Sequence, residues 1–396
     1  MSNFFIDHYL KHSLRNEISE LYVSVAIKNF AFSMIAVFEP VYLYKLYDSL
    51  AIVFLYYLIT YIIYFFAVPL GAKAAAKYGF EHCIFYSIPF AILYFLALSQ
   101  IPSFGFLVIF AILFLVIYKA LFWPAYHTDF AHYSLKGYKG RELGTLSLIS
   151  TIVTIIGPVI GGIILTKFNF ETLFVIVSII SLISAMPLFI TREKFEPHIF
   201  SYKKAFERFL KPYNQYKRKN SIAYFGYGEE IIAAVAWPIF IFILIKEFYL
   251  IGLLMSVVVL LTSILCLYVG KLSDTLQKNG RKKLFTASTV VYAASWFFRP
   301  FVGNWLGIIL IDFISKGIRP GIYYPLLTFV YTGGGNNKGF LKYTIFYEMS
   351  LTLGKILITF FALLFSLILA SYSFFWLVLF GFTGLWTLIF LSAYKK

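Results

Sequence analysis

Charged side chains interrupt the apolar stretches of this sequence at intervals that could build a polar path through a membrane. A charge in hydrocarbon is costly unless it faces a partner or water, so such residues mark ion pairs, proton paths or substrate contacts. Eight of them recur on every third apolar stretch. They are Lys28, Glu39, Lys119, Glu229, Glu230, Asp312, Lys316 and Arg319. We predict that the stretches carrying them line one cavity.

One set of these residues has the spacing of a single helical face. Asp312, Lys316 and Arg319 stand at i, i+4 and i+7, and residues so spaced are neighbours on a helix surface. We expect Asp312 to neutralise one of the two cations. The remaining positive charge would bind an anionic substrate or pair with a carboxylate across the cavity.

Other charges predict a gate between two parts of the chain. Lys28, Glu229 and Glu230 lie at similar depth in their stretches, counted from the same membrane surface. We therefore predict a Lys28–Glu229 or a Lys119–Glu230 ion pair that closes the cavity on that side. The alternative for each charge is a static pair that holds helices together.

Three carboxyl groups are candidate proton carriers, namely Glu229, Glu230 and Glu348. Apolar surroundings or a neighbouring like charge favour the neutral form of a carboxyl, so each can take up and release a proton. Lys355 lies two helical turns beyond Glu348 on the same face. For His127, at the end of its stretch, we favour a capping or anchoring role, with proton transfer as the alternative.

Two further charges lie near the ends of their stretches. We expect Glu39 and Arg299 to extend toward the membrane surface, as charged groups on apolar stems do.

The composition indicates that membrane-spanning helices position these residues. The chain has 396 residues, of which 61% are hydrophobic, and a mean hydropathy of +0.82. Soluble domains are only about half apolar, whereas this chain can form about twelve membrane spans of about 20 residues each. We place spans 1 to 12 near 18–44, 49–70, 80–100, 104–127, 144–167, 170–191, 221–246, 248–270, 283–302, 304–331, 343–370 and 372–394. The sequence therefore predicts an all-α polytopic membrane protein.

Lysine and arginine are distributed unevenly between the loops. One set of loops carries most of them, above all at 192–220, whereas the opposite set carries only Lys45, Lys167 and Lys246. Positively charged loops stay in the cytoplasm, so we predict cytoplasmic termini. The formal charge of +16 then reflects topology and contact with anionic lipid rather than nucleic-acid binding. The composition is typical of an AT-rich bacterial genome, which predicts a bacterial cytoplasmic (inner) membrane.

The longest polar stretch divides the chain into two halves. Residues 192–220 are basic with aromatic residues at helical intervals, which is typical of a helix on the membrane surface. We predict an N-terminal half at 1–191, which begins with a short interfacial segment, then this connector, and a C-terminal half at 221–396. Two six-helix halves are typical of secondary transporters.

Two short motifs combine glycine with charge or with proline. In GKLSDTLQKNGRKK at 270–283, Gly270 ends a span, Asp274 follows, and Gly280 precedes Arg281. Gly270 permits close helix approach, and Asp274 can pair with Arg281 or accept hydrogen bonds from a helix N-terminus.

The second motif is GPVIGG in span 5, with Gly157, Pro158, Gly161 and Gly162. The glycines let helices approach closely, and Pro158 removes one backbone hydrogen bond, so the helix can bend. We predict that both motifs serve a conformational change, and plain packing is the alternative.

These motifs resemble those of the major facilitator superfamily (MFS). The first is similar to the loop after the second span of each half in that family, although the copy at 71–82 has Ala75 where the family usually has Asp. The second is similar to the Gly-Pro motif of the family's proton antiporters. The resemblance implies an MFS-like fold of 12 transmembrane helices in two pseudo-symmetric six-helix halves. It also implies alternating access and a cavity flanked by spans 1, 4, 7 and 10.

We therefore expect a secondary transporter for a small solute, coupled to protons. The alternatives are a uniporter or an anion exchanger that uses Lys119, Lys316 and Arg319, and a transport-inactive receptor or scaffold. An enzyme is not expected, because the sequence has no ATP-binding Gly-x-x-x-x-Gly-Lys-Ser/Thr loop and no nucleophile–base pair near a membrane surface. We expect no cofactor and no metal. The expected partners of the monomer are its substrate, protons and membrane lipids.

Overall fold

The computed structural model is helical throughout its transmembrane part. It describes residues 16–133, 139–189, 195, 197, 199–211, 215–275, 278–333, 337–369 and 372–394. Among the helices so described, nine are long and apolar enough to cross a bilayer, and a shorter apolar helix lies at Phe248–Ser263. The order of the helices follows the predicted spans, so the span numbers are kept below.

The N-terminal half begins with a span that is broken in its middle. The helices are Asn16–Ile35 and Phe38–Tyr47 (span 1), Leu50–Tyr78 (span 2), Phe80–Gln100 (span 3), Leu107–Tyr133 (span 4), Lys139–Lys167 (span 5) and Phe170–Ile183 (span 6). Proline has no N–H to donate, so Pro40 cannot bond the carbonyl of Ala36. The two segments of span 1 therefore meet at a turn, just before Glu39.

The C-terminal half has breaks in spans 7 and 10, next to the charged residues. The helices are Gln215–Phe225, Glu229–Ile231 and Trp237–Ile245 (span 7), Phe248–Thr275 (span 8), Lys278–Phe298 (span 9), Trp305–Ile318 and Pro320–Gly333 (span 10), Asn337–Ile368 (span 11) and Tyr372–Thr387 (span 12). Span 7 tightens to a 3-10 turn at Gly226–Gly228 and widens to a π turn at Ile232–Ala236. Pro238 and Pro320 interrupt the backbone ladder of these spans because they lack an N–H.

The glycines of span 5 lie where this span crosses a helix of each half. A Cβ at Gly162 would come within 2.6 Å of the carbonyl oxygen of Phe248 on span 8. At Gly161 a Cβ would collide with the carbonyl of Met34 on span 1. Span 5 thus packs at backbone distance against both halves, as small residues allow. A role in conformational change stays a prediction.

A connector helix at Tyr202–Leu210 joins the halves on one side of the bundle, called the connector side below. The rings of Phe206 and Phe209 pack on Phe65 of span 2, with centroids 5.9 and 5.5 Å away. Phe209 also lies 6.4 Å from the ring of Phe346 on span 11. The aromatic face of the connector therefore bridges spans 2 and 11.

On the opposite side, Phe248 at the start of span 8 closes the boundary between the halves. Its ring centroid lies 6.0 Å from that of Phe38 on span 1 and 5.5 Å from that of Phe170 on span 6. The ammonium nitrogen of Lys45 lies 5.0 Å from the same ring. The halves are thus linked through the connector helix on one side and touch directly at Phe248 on the other.

Much of the 270–283 motif lies outside the described part of the chain, as does the predicted interfacial segment at the N-terminus. Residues 276–277 fall there, together with the side chains of Asp274 and Arg281 and the surroundings of Gly270. Gly280 lies within the helix of span 9. The roles predicted for these residues stay predictions.

Candidate substrate cavity

A chain of ion pairs joins spans 7, 10 and 11 in the C-terminal half. Arg319 Nη2 lies 3.0 Å from Glu229 Oε1 and 2.6 Å from Glu230 Oε1. Lys355 Nζ lies 2.9 Å from the other oxygen of Glu230. Tyr292 of span 9 donates a hydrogen bond of 2.6 Å to Glu229. Each of these carboxylates has a cation beside it, as the burial of a charge requires.

The irregular shape of span 7 explains how two adjacent glutamates enter one network. Consecutive residues of a helix point about 100° apart, so Glu229 and Glu230 cannot share a face. One carboxylate faces span 9 and the other faces span 11. Gly228 brings spans 7 and 11 together, because a Cβ there would come within 2.5 Å of the carbonyl oxygen of Gly354. This approach lets the neighbouring Lys355 reach Glu230.

Asp312 is buried between two cations of the same half. Lys316, one turn along span 10, lies 2.8 Å from Oδ2, and Arg299 lies 3.4 Å from Oδ1. The spacing of Asp312 and Lys316 predicted this neutralisation. The Arg299 guanidinium also lies 4.4 and 3.9 Å from the ring centroids of Trp237 and Trp296. The prediction that Arg299 extends to the membrane surface is wrong: it is only 2% exposed, because a carboxylate and two ring faces replace water.

Glu39 turns into the protein as well. Its Oε1 accepts hydrogen bonds from Tyr57 of span 2 at 3.1 Å and from Tyr94 of span 3 at 2.5 Å. The prediction that Glu39 extends to the membrane surface is therefore also wrong. Two phenol groups supply the hydrogen bonds that water would otherwise give to this carboxylate.

Lys28 is buried among aromatic rings. Its ammonium nitrogen lies 3.4 Å from the ring centroid of Phe122, 5.6 Å from that of Trp123 and 5.8 Å from that of Phe32. The residue is 8% exposed. Among the side chains that the structure describes, no carboxylate lies within 4.0 Å of this nitrogen. A ring face contributes about 0.5–2 kcal/mol to such a cation, so the charge is only partly compensated.

Lys119 is held by tyrosines of span 2. It donates a hydrogen bond of 3.3 Å to the hydroxyl of Tyr61 and lies 4.8 Å from the centroid of that ring. The ring of Tyr64 is 5.7 Å away. From the other half, the nitrogen of Lys355 lies 5.5 Å from the Tyr61 ring. Tyr61 therefore stands between one cation of each half.

Glu348 of span 11 connects the two halves. Tyr64 of span 2 donates a hydrogen bond of 2.9 Å to its Oε2, and Nε2 of His127 on span 4 lies 3.5 Å from its Oε1. Both Glu348 and His127 are buried. The sequence had suggested that His127 caps its helix. It does not, because span 4 continues to Tyr133. Two groups able to bind a proton thus face each other across the boundary.

The predicted gate pairs are not formed in this structure. Glu229 and Glu230 pair within their own half, with an arginine and a lysine, rather than with Lys28 or Lys119. The carboxylate that does contact the other half is that of Glu348, through Tyr64 and His127. Within the described residues, no group of three or more His, Cys, Asp or Glu side chains could hold a metal ion.

Sequence reasoning missed the tyrosines that hold these charges. With 46 Phe and 31 Tyr in the chain, an aromatic side chain is a weak signal of a polar site. A more specific signal was present in span 2, where Tyr57, Tyr61 and Tyr64 stand at i, i+4 and i+7. All three face charged side chains of other spans.

Comparison with known proteins gives the family of this chain. The crystal structure of the E. coli fucose:proton symporter FucP matches with a TM-score of 0.65 and 14% identity, over 96% of this chain and 98% of that one. A structure of the Major Facilitator Superfamily transporter FucP in the outward conformation matches with a TM-score of 0.66 and 14% identity, over 96% and 99%. A search of curated protein sequences found no match. The family model of the Major Facilitator Superfamily matches residues 21–339, and the chain therefore belongs to this superfamily.

Proposed function

We propose that this chain is a secondary transporter that moves a small solute by alternating access, coupled to protons. The family and the fold support a transporter rather than an enzyme. The observation that carries the proton coupling is the contact of Glu348 with Tyr64 and His127, because it puts a group that can bind a proton at the boundary between the halves. The proposal includes a monomer in a bacterial cytoplasmic membrane with both termini inside.

Protonation of Glu348 would weaken the contact between the halves. The ionised carboxylate accepts a hydrogen bond from Tyr64 and faces Nε2 of His127. When it takes up a proton, its charge is lost and one acceptor oxygen becomes a donor. A hydrogen bond to a charged group is roughly twice as strong as a neutral one. The proton therefore shifts the balance between a state in which these spans touch and one in which they part.

The backbone contact of spans 5 and 8 would serve as the pivot of this motion. Gly162 lets span 5 lie directly on the start of span 8, with no side chain between them at that point. Small residues at a helix crossing let two helices move over each other without displacing bulky groups. The ion pairs of the C-terminal half would meanwhile keep its spans together as a unit.

The likeness to FucP supports the class of transporter but not the substrate. FucP is a fucose:proton symporter, and a related coupling to protons in this chain is part of the proposal. At 14% identity the likeness shows the fold alone, so a sugar substrate does not follow from it.

Proteoliposomes that contain a pH-sensitive dye test the proposal. Monosaccharides, amino acids and monocarboxylates are added with and without an imposed pH gradient, and uptake is measured together with the internal pH. We expect one class of solute to accumulate with the gradient and to move protons. Glu348→Gln should still exchange that solute across the membrane but should lose its gradient-driven accumulation.

The matched control is Glu247→Gln, which makes the same change at an exposed residue between spans 7 and 8. It should behave like the wild type. If uptake by the wild type were the same with and without the pH gradient, the proposal of proton coupling would be wrong. Full accumulation by Glu348→Gln would show that another residue carries the proton.

A further inference from the structure

Two in-span lysines of the N-terminal half, the buried Lys28 and the partly exposed Lys119, are left without an ionic partner among the described residues. In the described part of the chain, neither Lys28 nor Lys119 has a carboxylate within 4.0 Å. The nearby carboxylate Glu39 accepts hydrogen bonds from Tyr57 and Tyr94 instead. A charge within a membrane span is costly unless it is paired, and most so for the buried Lys28, so these two lysines favour the binding of an anion.

We propose that Lys28 and Lys119 bind the negative group of the substrate, and that the substrate is a small organic anion with a flat, largely apolar body. The inference rests on the proposed transport function and names the substrate class of the same cavity. The sequence had suggested an anion site that includes Lys316 and Arg319 of the C-terminal half. The proposal places the site in the N-terminal half instead.

The two lysines meet the same stretch of span 4. Lys119 belongs to this span, and Lys28 of span 1 lies over the rings of Phe122 and Trp123, three and four residues further on. Positions at i+3 and i+4 are neighbours of position i on a helix surface. Both lysines are therefore placed at the same turn of span 4, one on it and one against it.

The rings around the lysines determine the shape of the anion's body. Lys28 touches Phe122 and Trp123, and Lys119 touches Tyr61. Phe122 and Tyr61 are themselves buried, so the partly exposed ring of Trp123 is the one on which a planar apolar group can stack once its carboxylate has engaged the ammonium groups. A strongly hydrated polyol would find few hydrogen-bond partners among them.

The cations of the C-terminal half are already neutralised and so are poor anion ligands. Lys316 pairs with Asp312 at 2.8 Å, and Arg319 pairs with Glu229 and Glu230 at 3.0 and 2.6 Å. An incoming anion would have to break these pairs and leave a carboxylate buried without its cation. An anion that binds at Lys28 breaks no ion pair, because it supplies an ionic partner to a cation that has only ring contacts.

Matched acids and amides test the charge requirement in the detergent-purified protein. Benzoate and salicylate are compared with benzamide and salicylamide, which have similar shapes but no charge, by titration calorimetry. We expect each acid to bind at least about tenfold more tightly than its amide, the equivalent of one charge-assisted hydrogen bond. Lys28→Met and Lys119→Met should each remove most of this preference.

The control variant is Lys167→Met, which removes an exposed lysine at the end of span 5 and should keep the preference. Equal binding of acid and amide by the wild type, or a preference that survives in both cavity variants, would overturn the inference. Proton-coupled uptake of a neutral solute with no acid preference would overturn it but leave the proposed function standing. Selective binding of the acids without any transport in liposomes would support the inference but overturn the proposed function.

Discussion

The two halves stabilise their buried charges by different means. In the C-terminal half, Arg319 and Lys355 lie beside Glu229 and Glu230 at distances of ion pairs. In the N-terminal half, Lys28 lies on aromatic rings, and the other charges are held by tyrosine hydroxyls. Carboxylates thus meet cations in one half, whereas charges meet rings and phenols in the other.

This difference indicates which charges a ligand can use. A cation in a buried pair is not available, because its removal leaves a carboxylate without compensation. A lysine that rests on a ring keeps most of its attraction for an anion, since the ring contact is weak. The paired half would then act as the firmer framework, and the N-terminal half would supply the binding charges.

The largest effect should follow from removing the central cation of the paired half. Arg319→Met leaves Glu229 buried without its cation, and the loss of one partner of a buried pair costs about 3–5 kcal/mol. We expect this drop in the free energy of unfolding, measured by SDS titration in mixed micelles. Glu229→Gln in the same background should restore part of it, because the uncompensated charge is then gone.

The control for this change is Arg208→Met, at an exposed position of the connector helix. Surface substitutions change stability by about 0.5 kcal/mol or less. If Arg319→Met were no worse than this control, the ion pairs would not stabilise the C-terminal half, and the contrast between the halves would fail.

An intermediate effect should follow in the half that uses phenols. Tyr94→Phe removes one of the two hydroxyls that bond Glu39, and a hydrogen bond to a charged group contributes about 1.5–3 kcal/mol. We expect a loss in that range in the same titration. Tyr86→Phe is the matched control, because that residue is 45% exposed. A loss as small as that of the control would mean that Glu39 does not depend on Tyr94.

The fold followed from the sequence because the bilayer imposes simple rules on it. Apolar stretches of sufficient length predicted the spans, whereas the division into halves at the polar stretch 192–220 stays a prediction. The spacing of Asp312 and Lys316 predicted their ion pair, because both partners lie on one helix. Pairings within a helix depend on spacing alone, and spacing is visible in a sequence.

Pairings between helices were predicted less well. The sequence suggested that Glu229 and Glu230 pair with lysines of the other half, yet their partners come from spans 10 and 11. Arg299 and Glu39 were expected at the membrane surface because they lie near span ends. Which neighbour a charge meets depends on the rotation and the breaks of each helix, such as the π turn of span 7, and these features are set by tertiary packing.

The smallest effect on stability should come from Lys28, the cation that has rings instead of a carboxylate. Lys28→Met replaces an uncompensated buried charge with an apolar chain of similar length among Phe122, Trp123 and Phe32. We expect a change within about 0.5 kcal/mol of the wild type or a gain in stability, because no partner is left unpaired and the desolvation of the ammonium group is avoided. Lys316→Met is the matched comparison. It makes the same substitution at a lysine that has a carboxylate 2.8 Å away, so it should cost more in the same titration. A loss at Lys28 as large as that at Lys316 would show that Lys28 is bound as firmly as the paired cations. The lysine would then belong to the framework rather than to the binding site, and the distinction between the halves would not hold.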